Sequence, residues 1–257
     1  MRRMIGRQSP RVRMVSERSQ APFPDVPRWA TVWLPLVLLV AIFVFRLADT
    51  ESLYFALWID RERGIVENAT VAVLLLATLF MGFAWRWRSR LPDGRLGAWL
   101  ILCMLGCVVY AGEEAGWGQH WFGWDTPEFF EEYNSKPETS FHNFTDFLTN
   151  RLLKTILTIG IVALGLVAPL WMRRKGITLD PATNWRYWFL PTGASVPMAW
   201  FVVATRAYER ALVWSHLKGD SLVFEMSFKE INELTLAGFL LVYSWSFWRR
   251  LRFMATL

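Results

Sequence analysis

Cysteine and histidine are scarce in these 257 residues: two of the first, three of the second. Cys103 and Cys107 lie four apart in an apolar run, on one face of the helix that the run predicts. A straight helix does not bring i,i+4 sulfurs into disulfide geometry, and two thiols alone make no metal site, so the pair reads as small packing residues. Also missing are a Gly-rich phosphate loop, Ser-His-Asp spacing, a paired-cysteine motif and any internal repeat. Nucleotide hydrolysis, serine catalysis and structural zinc are therefore left without a motif.

What the chain has in excess is apolar and aromatic mass. Hydrophobic residues make up 54%, with 16 Trp and 19 Phe, more than a soluble domain of this size carries. They come in charge-free blocks long enough to cross ~30 Å of hydrocarbon. Five are clear: Trp29–Phe45, Asn68–Trp85, Leu96–Gly112, Thr155–Met172 and Tyr187–Ala204. A sixth, Leu234–Trp248, is short and is expected to begin a turn or two earlier, near residue 230. The expected fold is all-α, a polytopic transmembrane helical bundle of about six spans with short interfacial helices on its outer side. One transmembrane domain, 29–248, lies between a basic disordered tail, 1–28, and a basic tail, 249–257.

Charge chooses the orientation. The N-terminal tail, Arg86–Arg95, Arg173–Arg186 and the C-terminal tail hold 18 Lys/Arg and 4 Asp/Glu, whereas the remaining segments hold 10 and 18. Basic residues stay on the cytoplasmic side, so both termini are expected there. The net +6 then reflects attraction to an anionic leaflet rather than to nucleic acid.

The alternating outer segments carry every histidine and most acids. Asp49–Asp60 reads as a short interfacial helix. Glu67 stands at the mouth of span two, where a helix dipole favours a carboxylate. Glu113 and Glu114 stand at the outer end of span three, where the dipole disfavours them, so they call for a partner, a proton or a cation. If that helix continued, Glu113, Trp117 and His120 would share a face. Gly112, Gly116 and Gly118 equally allow the backbone to turn back.

Beyond an aromatic anchor at Trp121–Trp124, Asp125–Tyr133 reads as a short amphipathic helix capped by Thr126 with Pro127 first inside it. Glu138 and His142 are four apart, a spacing that suits a shared proton or metal. Pro191, Gly193 and Pro197 predict a break in span five. Glu230 and Glu233 enter the last span as an i,i+3 pair, with Arg206 and Arg210 available to neutralise them.

Three segments carry a resemblance: Gly112-Glu-Glu-x-x-Trp-Gly-Gln119, Thr126-Pro-Glu128 and Glu138-Thr-x-x-His-Asn143, with Glu62-x-Gly-x-x-Glu67 ahead of them. Together they resemble the signature of an uncharacterised family of bacterial multi-pass membrane proteins. The resemblance implies an inner-membrane protein and groups Glu113, Glu114, Trp117, Gln119, Glu138, His142 and Asn143 as one constellation. The family has a basic residue, often Arg, where this chain has His120, and it brings no activity with it.

Three functions fit. A metal-dependent enzyme would hold a divalent metal on Glu113, Glu114 and His142, ahead of His120 and His216 as ligands, and act on a lipid or lipid-linked substrate. Glu113 or Glu114 would serve as ligand or general base and Glu138 or Asn143 would orient His142, with Glu67, Trp117, Gln119, Glu230 and Glu233 as further binding residues. A structural or assembly subunit would use the same groups as a hydrogen-bond network and meet protein partners in the membrane. A proton- or cation-coupled transporter would use the acids as its ion site.

Overall fold

A computed structural model describes residues 23–48, 64–134, 137–141, 152–214 and 228–256; the expected interfacial helix at Asp49–Asp60 falls outside them. The described residues are helical, with no strand among them. A π-helical turn, Trp29–Trp33, opens α1 (Leu34–Ala48). Then come α2 (Ile65–Trp85), α3 (Arg95–Glu114), and two short helices, α4 (Gln119–Phe122) and α5 (Glu128–Tyr133). A continuous run follows: α6 (Leu152–Gly160), a π-helical stretch Ile161–Val167, and α7 (Ala168–Arg174). The last three are α8 (Trp185–Phe189), α9 (Val196–Trp214) and α10 (Phe228–Ala255).

Among the described residues, four helices are long and apolar enough to cross a membrane: Ile65–Trp85, Arg95–Glu114, Lys154–Lys175 and Trp185–Ala211. Trp29–Val44 is a shorter apolar helix. Their outward faces are apolar and exposed, as with Leu75, Leu76 and Leu79 on α2 and Leu102 and Leu105 on α3. Exposed apolar stripes of that length suit a hydrocarbon solvent, not water.

The centre of the bundle is α10, which packs on α2 and α9, while α2 also packs on α3. It has 28 residues, about 42 Å of helix. It runs through Arg249–Ala255, so Arg250 is a core residue, 1% exposed, rather than part of a tail. On α2 the buried positions Thr70, Leu74, Ala77, Met81 and Ala84 recur every three or four residues, the seam that a neighbouring helix fills. Small residues let backbones approach: a Cβ on Gly165 would run into the Phe239 ring, and one on Gly238 would lie 2.6 Å from Met198.

Span five breaks where its sequence says. α8 stops before Pro191, a 3₁₀ turn spans Gly193–Ser195, and α9 begins at Val196. The carbonyls this frees must find donors inside the protein. Tyr243 on α10 donates to the Phe189 carbonyl at 3.0 Å while accepting from the Trp99 indole at 2.8 Å. Arg250 donates to the Tyr187 carbonyl at 2.8 Å, its guanidinium lying among the rings of Tyr187, Trp188 and Phe247. A second polar seam joins α9 to α10, with Asn232 donating to Thr205 at 2.9 Å.

Charge is sorted along the bundle. Phe23 packs edge-on against Trp188 and Phe253, Trp85 meets the start of α3 at Gly97, and Phe80 and Phe83 meet Trp248. The described parts of the four basic segments therefore gather at one end, and the acids of α2, α3 and α10 lie at the other. In the basic-end loops, Asp93 is held below the ordinary carboxylate range by Arg95, and Asp180 by the Ala182 N–H and the Thr183 hydroxyl.

Candidate functional site at the acidic end of the bundle

The helix carrying Glu113 does not continue to His120. Gly116, Trp117 and Gly118 take φ values of 52°, 54° and 105°, so the chain reverses and α4 sets off afresh. Left-handed backbone costs glycine little, but it strains tryptophan. Trp117 is held there from two sides: its indole donates to Glu113 Oε1 at 2.7 Å, and its ring covers Gly112 so closely that a Cβ would sit 2.9 Å away. A Cβ on Gly116 would meet His120 Nε2 at 2.8 Å. The glycine pattern thus makes room for two returning rings.

Glu114 points elsewhere. Its carboxylate lies 3.7 Å from Lys154 Nζ, and the same ammonium also pairs with Glu233. Lys154 thereby joins α3, α6 and α10 through one charge, between side chains only 8% and 6% exposed. Tyr110 lies beside it, with Nζ 6.0 Å from the ring centre, and its buried hydroxyl has no hydrogen-bond partner among the described residues. Arg206 pairs instead with Glu209 on its own helix, at 2.6 Å, so the expected neutralisation of Glu233 comes from Lys154.

Gln119 fastens the segment beyond the reversal. Its amide nitrogen donates to the Trp124 carbonyl (3.2 Å) and to Thr126 Oγ1 (2.9 Å), and its oxygen accepts from the Thr139 N–H (2.6 Å). Thr126 in turn donates to the Pro137 carbonyl at 2.6 Å. Thr126 therefore does not cap α5; Pro127 takes that place, one residue later than expected. Asn134 donates to the carbonyls of Glu138 and Ser140, and the Glu138 side chain is buried. Trp121 donates to Asn68 Oδ1 at 2.8 Å, tying α4 to α2.

A narrow crevice remains between these pieces, with no room for a water molecule. Glu67, Asn68, Glu114, His120 and Trp121 line it. Glu230 and Glu233 sit in the opening turns of α10, where the helix dipole favours acids. His142, Asn143 and His216 lie outside the described residues.

Among the described residues, no three His, Cys, Asp or Glu are placed to hold a metal ion. Neighbours on a helix project about 100° apart. Here Glu113 accepts from an indole and Glu114 pairs with an ammonium. That donor set does not fit a metal shared by the two. Lys154, Asn68 and Trp121 escape a reading by motif. The signal for Lys154 was available: with Arg151 it puts cations at the edge of span four, next to an acid-rich outer segment. The chain matches no family profile, no curated protein and no solved structure.

Proposed function

We propose that this chain is a structural or assembly subunit of a membrane complex, without catalytic chemistry of its own. It would lie in a bacterial inner membrane with six spans and both termini cytoplasmic, α1 and α10 completing the set. The observation that supports this best is Lys154, one ammonium shared by Glu114 and Glu233 across three helices. The motif acids thus have a use inside the fold, as does Gln119, which spends both ends of its amide on its own chain. A rim thus pinned presents Phe122, Phe129 and Tyr133 outward, all more than half exposed, as a surface for a protein partner or the bilayer interface.

The test is the thermal stability of detergent-purified Glu114→Ala and Gln119→Ala proteins. Both should melt well below wild type. A groove built for catalysis holds its acids at a cost in stability, so an unchanged or raised melting point would overturn the subunit reading.

The nearness of Glu67, Glu114 and His120 around the crevice supports a second reading, the lipid-directed metalloenzyme, in which these side chains would have to close further to share a metal. Metal content by plasma mass spectrometry decides between them. Near-stoichiometric divalent metal, lost in Glu67→Ala and His120→Ala, would favour the enzyme in place of the subunit.

A further inference from the structure

The opposite end of the bundle is basic, and its chemistry is independent of the subunit reading. The described residues of 23–28, 86–95, 173–186 and 249–256 hold twelve Lys/Arg and three Asp. Two of those acids are already engaged, Asp93 with Arg95 at 2.7 Å and Asp180 within its own loop. Three exposed arginines lie over an indole within the first or last two turns of a helix. The Arg88 guanidinium is 4.3 Å from the Trp85 ring centre, Arg186 is 5.8 Å from Trp185, and Arg252 is 5.4 Å from Trp248.

A guanidinium resting on an aromatic face keeps N–H groups at its edge for an oxyanion; Arg88 already donates from Nη1 to the Trp85 carbonyl at 3.3 Å and offers the rest. Indole itself prefers the depth where headgroup meets acyl chain. Just inside this ring the surface turns apolar: Leu76, Leu79 and Phe83 form one exposed stripe on α2 that runs up to Trp85 and Arg86. A ligand satisfying both parts carries a phosphate anion and a hydrocarbon tail on the same molecule. Nucleic acid would meet the cations but leave the stripe uncovered.

The geometry points to a binding collar for anionic phospholipid, in which the Trp85/Arg88, Trp185/Arg186 and Trp248/Arg252 pairs hold headgroup phosphates against the ends of α2, α8 and α10. The collar selects anionic over zwitterionic headgroups more strongly than net charge alone would, because stacking presets the arginines.

Native mass spectrometry of the full chain in detergent, titrated with phosphatidylglycerol or phosphatidylcholine, tests this. Wild type should prefer the anionic lipid by about tenfold or more, from a few cations each favouring the surface. Arg88→Gln/Arg186→Gln/Arg252→Gln should abolish most of that preference. Arg173→Gln/Arg174→Gln/Lys175→Gln removes as much charge from positions stacked on no ring among the described residues, and should keep most of it. Unchanged elution and melting of both variants, whose substituted side chains are exposed, would show that folding is intact. Equal affinity of wild type for the two lipids, or equal loss in the two triple variants, would overturn the collar.

Discussion

At position 112 a methyl group would lie 2.9 Å from the Trp117 ring, itself fixed by Glu113. Gly112→Ala must therefore displace the ring and should cost about 1–3 kcal/mol, read as a lowered melting point and a changed indole fluorescence. Lys154 carries more. Lys154→Ala leaves two buried carboxylates without their shared cation and should cost about 3–5 kcal/mol. Lys154→Ala/Glu114→Gln/Glu233→Gln, which removes the charges together, should recover much of the loss in the same melts; no recovery would show that Lys154 acts through packing. That Glu113 and Glu114 need partners was legible from the dipole at a helix C-terminus. Their partners were not, because one is made by a backbone reversal at Gly116–Gly118 and the other arrives from a helix some forty residues later.

Elements were legible where covalent chemistry dictates them. Proline's missing N–H and fixed φ stop α8, and the sequence shows it. How the freed carbonyls are satisfied depends on tertiary packing and could not be read in advance. Tyr243→Phe removes the hydroxyl that bridges Trp99 and the Phe189 carbonyl, and should destabilise the bundle by about 1–2 kcal/mol in chemical denaturation. The loop before α8 adds a pH dependence. Asp180 is held below its ordinary range by the Ala182 N–H first and the Thr183 hydroxyl second. Its contribution is thus complete above the unfolded carboxylate value of about 4 and is lost as pH falls through the lower folded value. Hydrogen exchange at Ala182, corrected for intrinsic rates, should rise over that acid range in wild type and show no such step in Asp180→Asn.

For the whole molecule, composition announced helices long and apolar enough to cross a membrane, and loop charge announced which segments share an end. The central place of α10 was hidden. Its sequence is the least apolar of the long helices, because it faces helices rather than lipid and carries the polar groups that bind them: Asn232, Glu233, Tyr243, Arg250. A hydropathy reading ranks such a helix last when packing ranks it first. Both basic flanks rest on the same rings, Phe23 reaching Phe253 at 5.4 Å. Phe23→Ala should therefore loosen the far end of α10, seen as faster proteolysis there while the Lys154 end stays protected.

The position of α10 along the chain has a further consequence for biogenesis. It follows α2, α3 and α9 in sequence, yet it is the surface on which α2 and α9 close. While the ribosome is still short of residue 228, α2 can pack on α3 and Ala199 can meet Gly165, but the faces of α2 and α9 that α10 covers lack that partner. Closure is thus deferred almost to the end of these 257 residues, and the half-made bundle is a client for whatever insertion machinery shelters unpaired helices.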